Sequence, residues 1–339
     1  MKSIYDMTIG ELEEYLTNIG EKKFRATQIF EWLYDKRVDS FYLMSNLSSD
    51  LQKKLSDEFS IEGPSIIKTQ NDVDVSKYLF ELYDKNHIEA VLMYHDYGLS
   101  LCISSQVGCN MGCTFCESGR LKKVRNLYAS EMLLQIMTIE KLISKRITHV
   151  VIMGIGEPFD NYDNVVKFIT IANYHKALNL GSRHITVSTC GIVPKIKEFS
   201  ELPFQVNLAI SLHAPNDNLR KELMPVDKVY SLDVLIPCIK EYISKTNRRV
   251  TFEYIMLDGI NDSPSCAKEL VHLLKGMNGY INLIPYNESS NILYKRSKKD
   301  TILKFYDIIK KEGMNVTIRR EFGSKISAAC GQLRAKKEE

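Results

Sequence analysis

The sequence contains no run of about 18 apolar residues, the length that a membrane-spanning helix requires. Its beginning, MKSIYDMTIGELEEYL, carries acidic residues and no continuous apolar stretch, so it does not resemble a secretory signal peptide. Net charge is also scarce, because 45 Lys and Arg residues against 42 Asp and Glu residues leave only +3. This small excess permits an anionic partner such as RNA without requiring one. We expect a cytoplasmic protein that does not associate with membranes.

Internal repeats and low-complexity tracts are absent as well, and the composition is that of a globular protein, with 44% hydrophobic and 26% charged residues. The 339 residues suffice for one large domain or for two unequal ones. Because cytoplasmic thiols stay reduced, the eight cysteines are better explained as ligands, reactive thiols or core residues than as a disulfide framework.

Residues 1–62 have the pattern of a small helical domain. Apolar residues recur at helical spacing after Thr8, which forms a capping-box pattern with Glu11. The same spacing returns in stretches that begin near Phe24 and Ser48. We therefore predict three helices in this part of the chain.

Two short strand-like runs lie within residues 63–98. One begins at Tyr78 and the other at Ile88, and a polar turn joins them. We assign this segment to a β-hairpin linker between the helical domain and the main part of the chain.

Strand-like and helical segments alternate between residues 99 and 320. Repeated β-α units imply an α/β fold with a parallel sheet, and about six units fit a partial barrel or a doubly wound sheet. In either architecture, ligands bind at the carboxyl ends of the strands. We assign residues 321–339 to a C-terminal tail. The strand-like segments begin at Leu101, His149, His184, Gln205, Val250, Tyr280 and Asn315.

Three cysteines, Cys109, Cys113 and Cys116, follow the first of these strands in the segment CNMGCTFC. Thiolates select zinc, copper(I) or iron–sulfur clusters, and structural zinc usually takes two separated pairs of ligands. The chain has no second CxxC pair. Three thiolates on a four-iron cluster leave one iron open for S-adenosylmethionine (SAM). The alternative is a zinc knuckle completed by Cys102 or by a distant residue.

Polar residues follow several later strands. Gly156 and Glu157 lie in the turn GIGEP, where glycine allows a ligand to approach the backbone and the carboxylate can accept a hydrogen bond from an ammonium group. Each such residue alone is a weak signal, but their succession after the cysteine motif favours one shared site. The others are Ser188, Ser211, Leu212, His213 and Asn287.

Two further thiols have a pattern that suits reactive chemistry. Cys330 lies among small residues in the tail segment ISAACGQL, and Cys102 lies on the first strand of the repeat. A nucleophile and a resolving thiol make chemical sense if both reach one pocket, whereas a buried structural cysteine is the ordinary alternative. Cys190, Cys238 and Cys266 occur in strand or helix patterns, and we expect them to be packing residues.

Taken together, these motifs resemble those of the RlmN/Cfr family of radical SAM RNA adenine methyltransferases over nearly the whole chain. The cysteine motif combined with AACGQL is highly specific for this family. The matching segments are CISSQVGC from Cys102, MGIGEP from Met153, STCGIVP from Ser188, ISLHAPND from Ile210, EYIMLDGIND from Glu253, NLIPYN from Asn282 and AACGQL from Ala328.

The resemblance implies a radical SAM partial (β/α)6 barrel, with a helical N-terminal domain that helps to grip RNA. It makes Cys330 the methyl-carrying cysteine, Cys102 its resolving partner and Glu89 the proton acceptor, although a lone Glu in a hairpin is more often solvated. It places the ligands of a 4Fe-4S cluster at Cys109, Cys113 and Cys116. It places SAM contacts at Gly156, Glu157, Ser188, Ser211, Leu212, His213 and Asn287.

The implied reaction is methylation of carbon 2 of adenosine in the peptidyl-transferase region of 23S rRNA and, in tRNA, of the adenosine after the anticodon. Two SAM molecules are used per turnover: one methylates Cys330, and the other yields a 5′-deoxyadenosyl radical that removes hydrogen from the S-methyl group. The methylene group then bonds to the base, whose ring proton goes to Glu89 or Cys102. Attack by Cys102 on the sulfur of Cys330 releases the RNA and leaves a disulfide. An external electron donor and a disulfide reductant are therefore expected partners.

Two alternatives remain at this stage. Carbon-8 methylation of 23S rRNA by a Cfr-type enzyme, which confers resistance to ribosome-targeting antibiotics, is less favoured because Pro158 follows Glu157 where Cfr enzymes typically carry Ala. A non-catalytic, zinc-bound RNA-binding protein would explain the thiols and the basic clusters but not Cys330 and Cys102. Those clusters, which either contact phosphates or form solvated faces, are Lys122, Lys123 and Arg125; Lys295, Arg296, Lys298 and Lys299; and Arg319 and Arg320.

One segment departs from the family pattern. After Cys116 the chain reads ESGRLKKV, where relatives have small residues and more glycine. This loop is bulkier and more charged, so we expect it to affect the substrate range without changing the cluster ligands.

Overall fold

The computed structural model describes residues 1–289, 292–320, 323 and 326–333. Within these residues the α-helices are α1 (Ile9–Asn18), α2 (Phe24–Phe30), α3 (Ser49–Glu58), α4 (Ala129–Ile143), α5 (Tyr162–Asn173), α6 (Val193–Ser200), α7 (Asp217–Leu223), α8 (Leu232–Thr246), α9 (Pro264–Leu274) and α10 (Lys299–Lys311). The main sheet contains β1 (Ser65–Asp72), β2 (Val75–Glu81), β3 (His87–His95), β4 (Gly98–Cys102), β5 (His149–Ile152), β6 (Ile185–Thr189), β7 (Asn207–Ser211), β8 (Val250–Met256), β9 (Gly279–Pro285) and β10 (Asn315–Ile318).

Shorter elements complete the described chain. Two-residue strands pair Lys2–Ser3 with Phe59–Ser60, and Gln106–Val107 with Arg125–Asn126. A π-helical turn covers Glu31–Asp35 directly after α2. The 3-10 turns are Ile4–Asp6, Phe41–Leu43, Ser118–Arg120, Pro158–Asn161, Ser182–His184 and Pro225–Lys228.

The strands of the main sheet lie side by side in the order of the sequence, from β1 to β10. The pairings from β1 through β4 are antiparallel, and those from β4 through β10 are parallel. Each of the six parallel steps is crossed by at least one helix, from α4 to α10. A doubly wound sheet would reverse its strand order at a switch point, and this sheet does not. The predicted partial (β/α)6 barrel is therefore confirmed.

The N-terminal helices form where their capping residues predict them. Thr8 Oγ1 accepts the backbone N–H of Glu11 at 3.3 Å, and Glu11 Oε2 accepts that of Thr8 at 2.8 Å, so α1 begins with the predicted capping box. At the start of α3, the hydroxyl of Ser48 accepts the backbone N–H of Leu51 at 3.3 Å, without a reciprocal bond. This helical part contacts the barrel directly, since the carboxylate of Asp6 accepts the backbone N–H of Ser130 at 2.8 Å at the start of α4.

The segment assigned to a hairpin linker contains three strands rather than two. The predicted pair appears as β2 and β3, and β3 pairs with β4, so these strands extend the barrel sheet. The additional strand, β1, was not predicted, because its polar sequence SIIKTQND gives no clear alternation of apolar residues. The three strands therefore form an antiparallel extension of the parallel sheet.

No described helix is long and apolar enough to cross a membrane. Of the predicted tail, only residues 323 and 326–333 belong to the described part, and the other residues of 321–339 lie outside it.

Candidate active site

The carboxyl ends of the parallel strands surround one cavity of about 890 Å³, which we call the cluster cavity. This is the end of a β/α barrel at which ligands bind. The cavity brings together nine of the residues predicted from the sequence. They are Cys109, Cys113, Cys116, Gly156, Glu157, Ser188, Ser211, His213 and Cys330.

The cysteine loop is wrapped tightly by its own backbone. The backbone N–H of Cys116 donates to the carbonyl of Cys113 at 3.2 Å, and that of Gly119 donates to the carbonyl of Cys116 at 3.1 Å. A Cβ at Gly119 would lie 2.7 Å from the carbonyl oxygen of Cys113, so no larger residue fits there without a shift. The loop thus holds three thiols at one wall of the cavity.

Burial raises the pKa of all three thiols, that of Cys109 to about 12. A thiolate is the form that binds metal, so these groups need a bound cation to lose their protons. In the part of the chain that the structure describes, no three His, Cys, Asp or Glu side chains lie close enough to hold a single metal ion. An iron–sulfur cluster is larger than one ion, and the three thiols match the donor set that it requires.

The turn after β5 presents a buried carboxylate to the cavity. Glu157 Oε2 accepts the backbone N–H of Cys190 at 2.8 Å, and its Oε1 accepts that of Phe159 at 3.0 Å. Burial raises the pKa of this carboxyl group. Gly156 has a φ of 112°, and a Cβ there would lie 2.7 Å from Cβ of Gln106. Glycine is therefore required at this turn, and it keeps the backbone close to any ligand.

The ends of β6 and β7 supply polar groups that stay uncharged. Ser188 Oγ and Ser211 Oγ lie 3.4 Å apart. His213 has a left-handed φ of 58°, and its Nδ1 accepts the backbone N–H of Ile255 at 3.1 Å. Burial lowers the pKa of His213 to about 3. The ring is neutral at physiological pH, so it can offer a hydrogen bond but no charge.

Leu212 is placed differently from its neighbours. Its side chain is fully buried in the hydrophobic core and is not among the residues that line the cavity. Its carbonyl accepts Nε of Arg220 at 3.3 Å. Leu212 therefore packs in the hydrophobic core just after β7 and does not face the cavity.

A second space, the tail cavity, has a volume of about 660 Å³ and shares several lining residues with the cluster cavity, including Cys116 and Cys330. Cys102 and Asn287 line it as well. The two reactive thiols predicted from the sequence therefore reach one space beside the cysteine loop. Burial, with a smaller contribution from the neighbouring Cys330, raises the pKa of Cys102 to about 12.

Asn287 carries an unusual buried acceptor. Its side chain is almost entirely enclosed, and its Oδ1 has no hydrogen-bond partner among the described residues. Leaving a buried polar atom unsatisfied is costly, so such an atom is expected to meet a donor on a ligand. This is independent support for a ligand in the tail cavity, which Asn287 lines.

Glu89 is not among the residues that line either cavity. It lies buried on β3, with its Oε1 3.1 Å from Nζ of Lys77. Its backbone carbonyl accepts the hydroxyl of Ser104 at 2.6 Å. The carboxylate is thus neither solvated nor directed at the cluster cavity.

Sequence reasoning grouped Arg319 with surface cations, but the structure puts it in the site. Arg319 lines both cavities, and its Nη1 lies 3.9 Å from Oε2 of Glu253. The neighbouring thiol of Cys330 is the largest influence on the pKa of Arg319 and raises it. The one signal in the sequence was that Arg319 directly follows the last strand of the repeat, where site residues are expected. Lys77, the partner of Glu89, was not predicted from the sequence as a site residue.

Other members of the basic clusters are paired within the protein. Arg125 binds Asp84 at 2.6 Å and Glu131 at 2.8 Å, and Lys123 binds Asp160 at 2.7 Å. Arg320 also has a partner, Asp74 at 2.5 Å, but its side chain remains exposed. Arg125 and Lys123 therefore act as structural ion pairs rather than as free cations for phosphates.

Comparison with known proteins identifies the class first. Residues 103–271 match the family model of the radical SAM superfamily, and residues 2–61 match that of the ribosomal RNA large subunit methyltransferase N-terminal domain. A crystal structure of a radical SAM methyltransferase from Sphaerobacter thermophilus matches with a TM-score of 0.94 and 39% identity, covering 99% of this chain and 100% of that chain. The fold is thus that of a radical SAM enzyme.

Two full-length relatives narrow the class. The proteins from Enterococcus faecalis and Acholeplasma laidlawii, each named "Probable dual-specificity RNA methyltransferase RlmN", are 53% and 51% identical. The first match covers 99% of this chain and 96% of the relative, and the second covers 98% of both. The chain belongs to the RlmN family of radical SAM RNA methyltransferases.

This membership confirms the family predicted from the motifs and overturns the non-catalytic alternative. A 4Fe-4S cluster and SAM are the cofactors that the radical SAM family implies. The donor set of the cysteine loop and the orphaned acceptor of Asn287 fit these groups.

Proposed function

We propose that this protein methylates carbon 2 of adenosine in 23S rRNA and, in tRNA, of the adenosine after the anticodon, through an S-methylcysteine at Cys330. The observation that carries the proposal is that Cys330 and Cys102 line one cavity, which shares Cys116 with the cluster cavity. A methyl-carrying thiol, a resolving thiol and a cluster site in contact are the equipment that this reaction requires. The names of the relatives support two kinds of RNA substrate.

Cys109, Cys113 and Cys116 would hold the cluster, and the cavity next to them would hold SAM. When bound, these cofactors supply one electron and a carbon radical that can remove a hydrogen atom from a methyl group. The contribution of the chain is to enclose them, since Cys109 is buried and Cys113 and Cys116 are half-buried at the wall of the cavity. Exclusion of water protects a reactive radical from side reactions.

The SAM contacts divide by chemistry. Glu157 offers a buried carboxylate, which suits the ammonium group of an amino acid. Ser188, Ser211 and His213 offer neutral polar groups, and Asn287 offers an unsatisfied oxygen. One anion with several neutral partners matches a ligand that carries a localised ammonium and a polar sugar.

Each thiol has a distinct task. Cys330 accepts a methyl group from one SAM, while a second SAM serves the radical step, so two SAM molecules are used per turnover. Cys102, whose pKa is about 12, is protonated at neutral pH. After it loses this proton, its sulfur attacks the sulfur of Cys330, the bond from Cys330 to the RNA breaks, and a disulfide forms. The charge of Arg319 opposes the effect of burial on the pKa of Cys102 and so favours the thiolate form of that residue. An external electron donor and a disulfide reductant are required to restore the enzyme.

Removal of the ring proton from the base has two candidates. Glu89 remains our proposed proton acceptor, and its pairing with Lys77 keeps it ordered. Cys102 is the second candidate because it lines the tail cavity, whereas Glu89 does not. RNA substrates of this kind are found in the cytoplasm, where we expect the protein to act.

The test is a reaction of anaerobically reconstituted protein with SAM, a reductant and either unmodified 23S rRNA fragment or unmodified tRNA. The RNA is digested, and methylated adenosines are identified by chromatography and mass spectrometry. 2-Methyladenosine in both RNAs supports the proposal, and 8-methyladenosine would move the protein to the Cfr type. No methylated adenosine, from protein that contains its cluster and cleaves SAM, would refute it.

A further inference from the structure

Lys77, on β2, is an almost fully buried lysine with two partners. Its side chain is 10% exposed, and its Nζ lies 3.1 Å from Oε1 of Glu89. The same Nζ donates a hydrogen bond to the carbonyl oxygen of Ser327 at 3.3 Å. A buried ammonium is unfavourable unless it is paired and hydrogen-bonded. Here, the pairing joins a strand of the barrel to the tail.

Ser327 lies three residues before Cys330, in a tight turn. Its φ is 50°, a left-handed conformation that is uncommon for residues other than glycine. The backbone N–H of Ala328 donates to the carbonyl of Gly323 at 2.8 Å and closes this turn. A carbonyl in such a turn has a fixed direction, so a bond to it fixes the path of the chain towards Cys330.

The tail is also held on the other side of Cys330. The hydroxyl of Ser118 donates to the carbonyl of Leu333 at 2.8 Å, and the backbone N–H of Glu117 donates to that of Gly331 at 2.8 Å. These two residues belong to the atypical loop after Cys116. Residues 327–333 form no helix or strand of the sheet, so individual hydrogen bonds like these determine where the thiol lies.

The strand register relates Lys77 to the second thiol. Lys77 lies opposite Val91, and Val91 lies opposite Cys102, so the three residues form one row across β2, β3 and β4. Residues directly opposite in antiparallel strands point to the same face. The row that carries Cys102 therefore also carries the group that binds the tail, and Val91 and Cys102 pack with Ala328.

We infer that Lys77 is a positioning residue, which binds the carbonyl of Ser327 and thereby fixes the position of Cys330 relative to Cys102. This inference rests on the proposed function of the two thiols. The bond to Glu89 has a second effect, because it ties the proposed proton acceptor to the same ammonium group. One side chain thus orders the methyl carrier and the proton acceptor together.

The test compares Lys77→Met, Lys77→Arg and Lys85→Met in the reconstituted full-length protein. Hydrogen exchange of residues 326–333 and the rate of alkylation of Cys330 report the tail without any need for catalysis. We expect both to rise about tenfold in Lys77→Met. Methyl transfer from SAM to Cys330, followed by mass spectrometry, should fall about tenfold or more, since small misplacements of a reacting group are costly.

Lys77→Arg should recover much of the wild-type behaviour, because a guanidinium can bridge the same carboxylate and carbonyl. Lys85→Met is the matched control: Lys85 lies at the turn of the same hairpin, exposed and paired with Glu81, and its loss should change nothing. Unchanged tail exchange and unchanged methyl transfer in a folded Lys77→Met protein would overturn the inference.

Lys77→Met leaves the Glu89 carboxylate without this cation and can prevent folding. The double variant Lys77→Met, Glu89→Gln removes both charges and keeps the inference testable, because it should also loosen the tail. A fully protected tail in that variant would overturn the inference. Failure of the proposed function is recognised separately, since the wild-type protein would then transfer no methyl group to Cys330 while the exchange measurement still reports on Lys77.

Discussion

Arg220 and Asp227 form a buried ion pair, with 2.8 Å between Nη1 and Oδ1 and neither side chain exposed to solvent. Arg220 also donates to the carbonyl of Cys190 at 2.6 Å through Nη2. It thereby connects the chain after β6 to that after β7. These are the strand ends that carry Ser188 and Ser211.

We predict that Arg220→Met destabilises the protein by about 3–5 kcal/mol, because it leaves a buried carboxylate without its partner. Anaerobic urea unfolding of the reconstituted protein measures this change. Lys53→Met, which removes an exposed partner of Asp57, is the control and should leave the unfolding midpoint almost unchanged. Equal midpoints for Arg220→Met and wild type would show that this ion pair does not stabilise the strand ends.

Glu157→Gln should weaken SAM binding. Hydrogen bonds to charged groups contribute about 1.5–3 kcal/mol, which corresponds to an increase of about 10- to 150-fold in Kd. Equilibrium dialysis with labelled SAM measures it. Since burial raises the pKa of Glu157, wild-type affinity should fall as the pH is lowered through that raised pKa and the acceptor becomes protonated. The variant has no such group, so a fall of the same size in Glu157→Gln would rule out this carboxylate as the cause.

The neutral ring of His213 predicts a dependence of stability on pH. The folded state has a pKa of about 3 for this group, below the ordinary value of 6.5. The unfolded chain binds a proton that the folded chain excludes, so stability is lost as the pH falls from about 6.5 towards 3. His213→Asn, which tolerates the left-handed backbone, should flatten the dependence between about pH 5 and 7. Urea unfolding at several pH values decides this, and parallel curves for the two proteins would contradict it.

Cys102→Ala should trap a covalent adduct between protein and RNA, because Cys330 remains able to bond to the base while its resolving partner is absent. Denaturing electrophoresis under turnover conditions detects such a species as a slowly migrating band. Cys330→Ala should give no band and no methylated RNA. Cys238→Ala removes a buried thiol of α8 far from both cavities and should turn over normally. The scheme fails if Cys102→Ala releases methylated RNA at the wild-type rate.

Local signals predicted the parts of this molecule that depend on local physics. The capping box of Thr8 and Glu11 needs only neighbouring residues, and it was found where expected. The strand-end positions of Glu157, Ser188 and Ser211 follow from the alternation of strands and helices, and one cavity joins them. The predicted SAM and cluster ligands thus line this one cavity, except for Asn287, which lines the tail cavity, and Leu212, which lies in the core. Their roles stay predictions.

Long-range contacts were beyond the reach of the same reasoning. Lys77 meets Ser327 across 250 residues, and no periodicity or motif connects the two. Arg125 was grouped with surface cations because a cluster of like charges gives no indication of its partners, which lie in a hairpin and on α4. Strand β1 was missed because its side chains alternate between exposed and half-exposed surroundings, without an apolar face.

The sequential order of the strands bears on how the molecule assembles. Each strand of the sheet pairs with its neighbour in the chain, and the parallel pairings span between 21 residues (Thr186 to Asn207) and 49 residues (Ser100 to His149). The chain entropy lost on closing a loop grows with its length, so these pairings cost less to close than contacts between distant parts of the chain. The tail is the exception, since its bonds to Lys77 and Ser118 span 250 and 215 residues. We therefore expect the barrel to fold before the tail docks, and the pair of thiols to be the last part of the molecule to come together.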